Sequence, residues 1–308
     1  MKLGVCGIDK IENKIINSFK RGNRVNTDSN IVNVNTFKNK QPTKTTLLLN
    51  ILNLDFNYAL LEQVDKLYVP LIYFGDNKYK NILEYLSKNF NLYIYMPTII
   101  RKHYMVVAKS ILKKSFERFN IKGIVISNLS QAELLKDFKN IDIIANYTLN
   151  IYNNYSIKHL SELNINSITI SPELDEEGIL SICDNTSSLK ELIVYGNIPV
   201  MTTSYCPLGK SNKCYKGCSK KCETNSKFYL KDRMNMLFRI IPDSNQTIST
   251  IYNSKTTSIE YKNFNIDFAR IDILDEDIEQ INNIIKTVKT SNRFEGKNYT
   301  NGNLKREI

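Results

Sequence analysis

From residue 45 onward the chain alternates short runs of aliphatic and β-branched residues with stretches whose apolar positions recur at helical spacing, which is the pattern of successive βα units. The runs predict strands over Thr46 to Leu52, Leu67 to Tyr73, Leu92 to Met96, Gly123 to Ser127, Ile141 to Asn146, Ser167 to Ser171 and Glu191 to Tyr195. Between them the spacing predicts helices near 57–64, 77–89, 103–118, 130–138, 155–163 and 175–183. Most of these strands are apolar on both faces, as parallel strands covered on both sides are. The expected fold class is therefore α/β, a TIM-like (β/α) barrel, whole or incomplete, with an open doubly wound sheet as its competitor. The expected organisation is a basic extension over 1–44, βα units over 45–204, a cysteine-rich basic segment over 205–255 after the last recognisable strand, and a strand-and-helix tail over 256–308 that closes the same domain.

Four strands run into polar residues at their carboxyl ends, where parallel α/β folds build their sites. Ser127-Asn128, Asn146-Tyr147, Ser171-Pro172-Glu173 and Tyr195-Gly196-Asn197 stand there. Ordinary turn chemistry would choose the same residue types, so no single one is diagnostic, but their recurrence points to a shared cleft. Asn150, Glu173 and Tyr195 are the candidates for lining it.

The net charge is +11, and its placement says more than its size. Segments 1–44 and 205–240 together carry +13, leaving −2 on everything else. Basic segments of this kind suit a polyanion such as RNA, because Lys and Arg gain affinity by releasing phosphate counterions; a lysine-rich solvated face is the plainer account. The N-terminus meets charge at Asp9 and Lys10, and no apolar run reaches the 18 residues of a membrane span, so a cytoplasmic protein with no membrane association is expected.

Six cysteines in such a protein are unlike a disulfide framework. Four of them form Cys206-x7-Cys214-x3-Cys218-x3-Cys222, interleaved with lysines whose charge favours thiolates. Thiolates at this spacing suit either a tetrahedral zinc or an iron–sulfur cluster. Cys183 lies on an apolar helical stretch and reads as a buried structural thiol, while Cys6 has no evident partner. The two histidines, His103 and His159, both fall in helical segments among apolar neighbours, which leaves little for a conventional Cys-His or Ser-His site.

Residues 146–254 resemble the collagenase-like peptidase family, number thirty-two among the peptidases of unknown catalytic type. The resemblance rests on Tyr147-Thr148-Leu149-Asn150-Ile151-Tyr152-Asn153, Ile170-Ser171-Pro172-Glu173-Leu174 and the run Glu191 to Met201. It continues through Tyr205-Cys206-Pro207-Leu208-Gly209, Cys218-x3-Cys222, Tyr229 to Arg233 and Ile251-Tyr252-Asn253-Ser254, with a closing Tyr299 to Arg306. What it implies is a TIM-like barrel holding a four-iron, four-sulfur (4Fe-4S) cluster near the strand ends, with relatives that hydroxylate ribosomal or transfer RNA, or a quinone precursor, without oxygen. By position Cys206, Cys218 and Cys222 match the family's cluster cysteines. Cys214 is the local substitute for a fourth, ahead of Cys6 or Cys183. Two positions depart from the family: Asn197 stands where an arginine is familiar, and Asn303 where histidine is common. The chain looks like the terminal module of the family's long members, which suggests a partner protein supplying the missing module.

Three functions follow as expectations. The first is an iron–sulfur hydroxylase of RNA, gripping phosphate through 1–44 and 205–240. The second is a peptidase, for which the sequence shows neither a His-Glu-x-x-His helix nor a Gly-x-Ser-x-Gly elbow. The third is a non-catalytic RNA-binding module whose metal site is structural.

Overall fold

The computed structural model describes residues 42–138, 140–165, 167–209, 214 and 227–305. Strand β1 (Lys44–Leu49) pairs in parallel with β2 (Lys66–Pro70), and the ladder continues through β3 (Leu92–Tyr95), β4 (Ile121–Ile126), β5 (Asp142–Ala145), β6 (Ser167–Thr169) and β7 (Leu189–Gly196). The chain then forms β8 (Pro199–Thr203), β9 (Phe228–Lys231), β10 (Leu237–Asp243), β11 (Ile248–Tyr252) and β12 (Thr256–Ser258) before reaching β13 (Phe268–Ile273). β13 lies parallel to β7 on one side and to β1 on the other, and so closes an eight-stranded parallel barrel. The barrel is complete, and its eighth strand comes from the tail rather than from the seven predicted runs.

The crossovers carry α1 (Leu71–Phe74) and α2 (Lys80–Asn89), then α3 (Lys102–Arg118), α4 (Ser130–Leu134), α5 (Asn154–Glu162) and α6 (Glu176–Asn185), with α7 (Ile278–Lys289) after β13. Each helix has a readable cause. In α7, Asp277 and Gln280 form a reciprocal capping box, and Ile281, Ile284, Ile285 and Val288 make one buried stripe. The helix expected over 57–64 is only a 3-10 turn at Tyr58–Leu60: the Asn57 side chain caps it, and extended backbone at Leu61 stops it. The helix expected over 130–138 ends at Leu134. No helix among the described residues is long and apolar enough to cross a membrane.

Alternation along each strand sorts two interiors. Leu47, Leu49, Leu67, Val69, Ile94, Ile124, Ile168, Leu192 and Ile271 point outward into one continuous core shared with the helices. Leu48, Tyr68, Tyr93, Val125 and Ile144 point inward and fill the barrel, with Tyr95 packed beside them. The buried inward positions of β7 and β13 are charged: Glu191, Arg270 and Asp272.

Strands β8, β11, β10 and β9 make an antiparallel sheet inserted between the seventh and eighth barrel strands. Its β10–β11 turn reaches back to the start of α3. Gln246, fully buried, accepts from the Arg101 backbone N–H (3.0 Å) and donates to Asp243 (3.1 Å), while the Arg101 guanidinium donates to Thr247 Oγ1 (3.0 Å). Thr247 is held at φ +52°, a left-handed conformation that a β-branched residue adopts only under constraint. Gln246→Ala strips this fastening of its central side chain. It should lower stability by about 1–3 kcal/mol, read as a lower urea midpoint.

Candidate functional site

The inserted sheet and the barrel mouth enclose a cleft of about 770 Å³ at the carboxyl ends of the barrel strands. Its barrel side is Asn50, Pro70, Tyr95, Tyr147 and Asp272; α3 and the loop before it add Pro97, His103, Tyr104 and Val107. The sheet side is Pro199, Thr202, Ile241, Thr250 and Tyr252. This is the position at which parallel α/β barrels carry their chemistry.

Asp272 and the side chains below it set the electrostatics of the floor. Arg270 donates to both Asp272 oxygens (Nε 2.6 Å, Nη2 3.0 Å), to Asn146 Oδ1 (3.0 Å), and stands 3.6 Å from Glu191. Its guanidinium lies 5.2 Å from the Tyr95 ring centroid and 5.6 Å from that of Tyr68. Glu191 accepts from Tyr68 OH (2.8 Å) and Thr169 Oγ1 (2.9 Å). Asn146 donates to Tyr95 OH (2.8 Å) and Ser127 Oγ (3.0 Å), and the Ser127 hydroxyl donates to the Met96 carbonyl (2.9 Å). A fully buried cation thus holds two carboxylates in place, and nearly every polar atom around it is used. Lower in the barrel the Lys66 ammonium sits 3.6 Å from the Phe268 ring centroid, and burial pulls its pKa down.

Burial pushes the Asp272 carboxyl above its ordinary value, and the adjacent guanidinium offsets part of that rise. Burial likewise raises Tyr95, Tyr147 and Tyr252, and takes Tyr104 up to about 12, so these phenols are neutral at physiological pH and can donate hydrogen bonds or stack. Tyr252 donates to Asn50 Oδ1 (3.4 Å), and Asn50 donates to the Ile273 carbonyl (3.0 Å), which fastens one wall to the barrel rim. The cleft is an aromatic slot with an anchored carboxylate at its base, a geometry suited to a planar ring with polar edges.

The sequence candidates fall in different places. Asn150 is exposed in a left-handed turn after β5 (φ +56°). Glu173 is exposed in the next loop and accepts from Tyr152 OH (2.6 Å). Tyr195 is buried against Phe294 and donates to Glu276 (3.3 Å). None of the three is among the residues that line the cleft. His103 and His159 are exposed rather than set among apolar side chains, and His103 stands at the cleft wall. Asn197 donates to the Asn253 carbonyl (2.8 Å) and accepts from Thr256 Oγ1 (3.2 Å), while Asn303 donates to the Pro172 carbonyl (3.4 Å). Both departures from the family therefore tie loops together. Arg270, Asp272 and the partnership of Glu191 were missed. Their signal was two charges at alternate positions of Phe268-Ala269-Arg270-Ile271-Asp272-Ile273, a spacing that puts both on one face of a strand.

Of the cysteines, Cys183 is buried in α6 and its thiol is pushed up to about 11 by burial, as befits a structural residue. Cys6, Cys218 and Cys222 lie outside the described residues, as does nearly all of segment 1–44. Cys206 is exposed and Cys214 partly so, and no group of three metal-ligating side chains occurs among the described residues. The two that are described fit a common centre. Gly209 N–H donates to the Cys206 carbonyl (3.0 Å) and Cys214 N–H to the Gly209 carbonyl (2.8 Å), which folds both cysteines onto one glycine. A Cβ at Gly209 would stand 3.2 Å from the Cys206 carbonyl oxygen and 4.0 Å from its sulfur, so glycine keeps the space beside that sulfur clear.

No curated protein matches the sequence. Among solved structures the fold is similar to the U32 peptidase Mk0906, with 13% identity and a TM-score of 0.45 over 76% of this chain and 94% of that one. It is also similar to a thiamine phosphate pyrophosphorylase from Pyrococcus furiosus, with 8% identity and a TM-score of 0.39 over 81% and 98%. The sequence model of peptidase family U32 matches residues 72–302, a span that takes in the barrel from α1 onward, the inserted sheet and the cysteine segment, and the chain belongs to that family.

Proposed function

We propose that this chain is an iron–sulfur protein that hydroxylates RNA without oxygen, with Cys206, Cys214, Cys218 and Cys222 holding a 4Fe-4S cluster and a nucleobase entering the cleft. The observation that carries this reading is strand β8. Its Pro199 and Thr202 form part of the cleft wall, and Cys206 follows three residues after its end, within about 10 Å of chain. A cluster bound there would supply one-electron transfer at the edge of the cleft. The chain's own residues do the rest. Tyr95, Tyr147 and Tyr252 offer faces and hydroxyls to a splayed-out base, the inserted sheet shields it from water, and the lysines of 205–240 hold the phosphates outside.

The test is purification without oxygen followed by iron, sulfide and zinc analysis. About four irons per chain are expected, falling sharply in Cys206→Ser and Cys214→Ser but not in Cys183→Ser. Stoichiometric zinc, or iron unaffected by the first two substitutions, would overturn the cluster. RNA affinity should fall steeply as salt rises, and a flat response would remove RNA as the substrate class.

A further inference from the structure

Strand β11 alternates between two surroundings. Ile248, Thr250 and Tyr252 line the cleft, so Ser249 and Ile251 between them face the other side of the inserted sheet. Ser249 is 1% exposed, and its hydroxyl has no hydrogen-bond partner. Leaving such a group unmatched costs about 1–3 kcal/mol, so it calls for an acceptor.

The strand register says where that acceptor lies. Ser249 is the direct partner of Thr203 on β8, which sets the two side chains next to each other on the face away from the cleft. Thr203 Oγ1 accepts from the Tyr205 backbone N–H (3.0 Å), so the chain curls around the Thr203 side chain as it leaves the strand, and the next residue is Cys206. The orphaned hydroxyl therefore stands beside the turn that presents the first cysteine. Among its neighbours on that face Ile251 and Met201 offer no oxygen on their side chains, and a bridging water would need two or more polar partners.

We infer that the Ser249 hydroxyl donates a hydrogen bond to a sulfur of the cysteine-held centre, as a positioning residue that tunes its reduction. This rests on the reading that the cysteines hold an iron–sulfur cluster. A donor aimed at a cluster sulfur favours the form with one more electron, so it raises the reduction potential without adding a bond to iron.

The experiment uses the full chain purified without oxygen, with Ser249→Ala and Ser249→Thr beside the unaltered protein. Iron and sulfide content are measured first, and a dithionite titration followed by electron paramagnetic resonance then gives the midpoint potential. Ser249→Ala should keep its iron and lower the midpoint by about 59 mV, the one-electron equivalent of a tenfold change in the reduced-to-oxidised ratio. Ser249→Thr, which keeps the hydroxyl, should stay near the unaltered protein. An unchanged midpoint in Ser249→Ala at full iron content would overturn the inference and leave the cluster reading standing. Loss of iron from Ser249→Ala would also overturn it, because a donor to sulfur does not hold the metal. Unaltered protein without iron would remove the cluster reading, and this inference with it.

Discussion

Arg270→Met should destabilise the protein by about 3–5 kcal/mol at neutral pH, because it leaves the buried Glu191 and Asp272 carboxylates without their shared cation. The volume is nearly kept, so the loss reports charge rather than a cavity. Urea unfolding followed by circular dichroism gives the number. Combining Arg270→Met with Glu191→Gln and Asp272→Asn should restore a large part of it, since the uncompensated charges are then gone. The pH dependence follows from Asp272, whose carboxyl burial already raises and the guanidinium partly lowers. Without Arg270 its folded pKa moves further above the unfolded value of about 4. Such a group contributes stability that is whole below the unfolded pKa and is lost as pH rises through the folded one. The deficit of Arg270→Met against the unaltered protein should therefore shrink between about pH 7 and about pH 5. A deficit that grows over that range would mean Asp272 is not the controlling group.

Gly196→Ala should be almost as severe, by about 4 kcal/mol, and for a reason that also touches the site. Gly196 ends β7 at φ +138°, where a side chain is strained, and a Cβ there would come within 2.5 Å of the Asp272 carbonyl oxygen. The close approach of β7 to β13 is what seats Asp272 at the cleft floor, so the substitution pushes that carboxylate off its anchor. Gly296 provides the control. It has φ +128° with nothing within 4 Å of the added carbon, so Gly296→Ala carries strain alone. The difference between the two melting temperatures isolates the collision. Equal losses would show that β13 can move aside.

The outer architecture was legible because outward-facing positions obey simple alternation. All seven predicted strands coincide with β1 to β7, and the helices over 77–89, 103–118, 155–163 and 175–183 match α2 with its leading 3-10 turn, α3, α5 and α6. The eighth strand was blurred into the tail because Arg270 and Asp272 interrupt its apolar run, and only a closed barrel gives two such charges a place to be buried. The inserted sheet was hidden for a different reason. Its strands are short, carry exposed Val200, Met201, Leu230 and Leu237, and flank a segment whose cysteines and lysines dominate the composition. The cleft could not be read either, because Tyr95, Tyr147, Tyr252 and Asp272 come from four separate stretches that only closure brings together.

That closure makes translation order matter. Asn50 and Ile273, joined across the β1–β13 seam, are 223 residues apart. While the ribosome is still making the inserted sheet, β1 and β7 each have an edge with no neighbour, and both are rich in Leu, Ile and Val. Such edges invite pairing with other nascent chains. The late arrival of one six-residue strand therefore puts the chain's greatest exposure to aggregation in the interval between residues 196 and 268, and makes its maturation slow for its size.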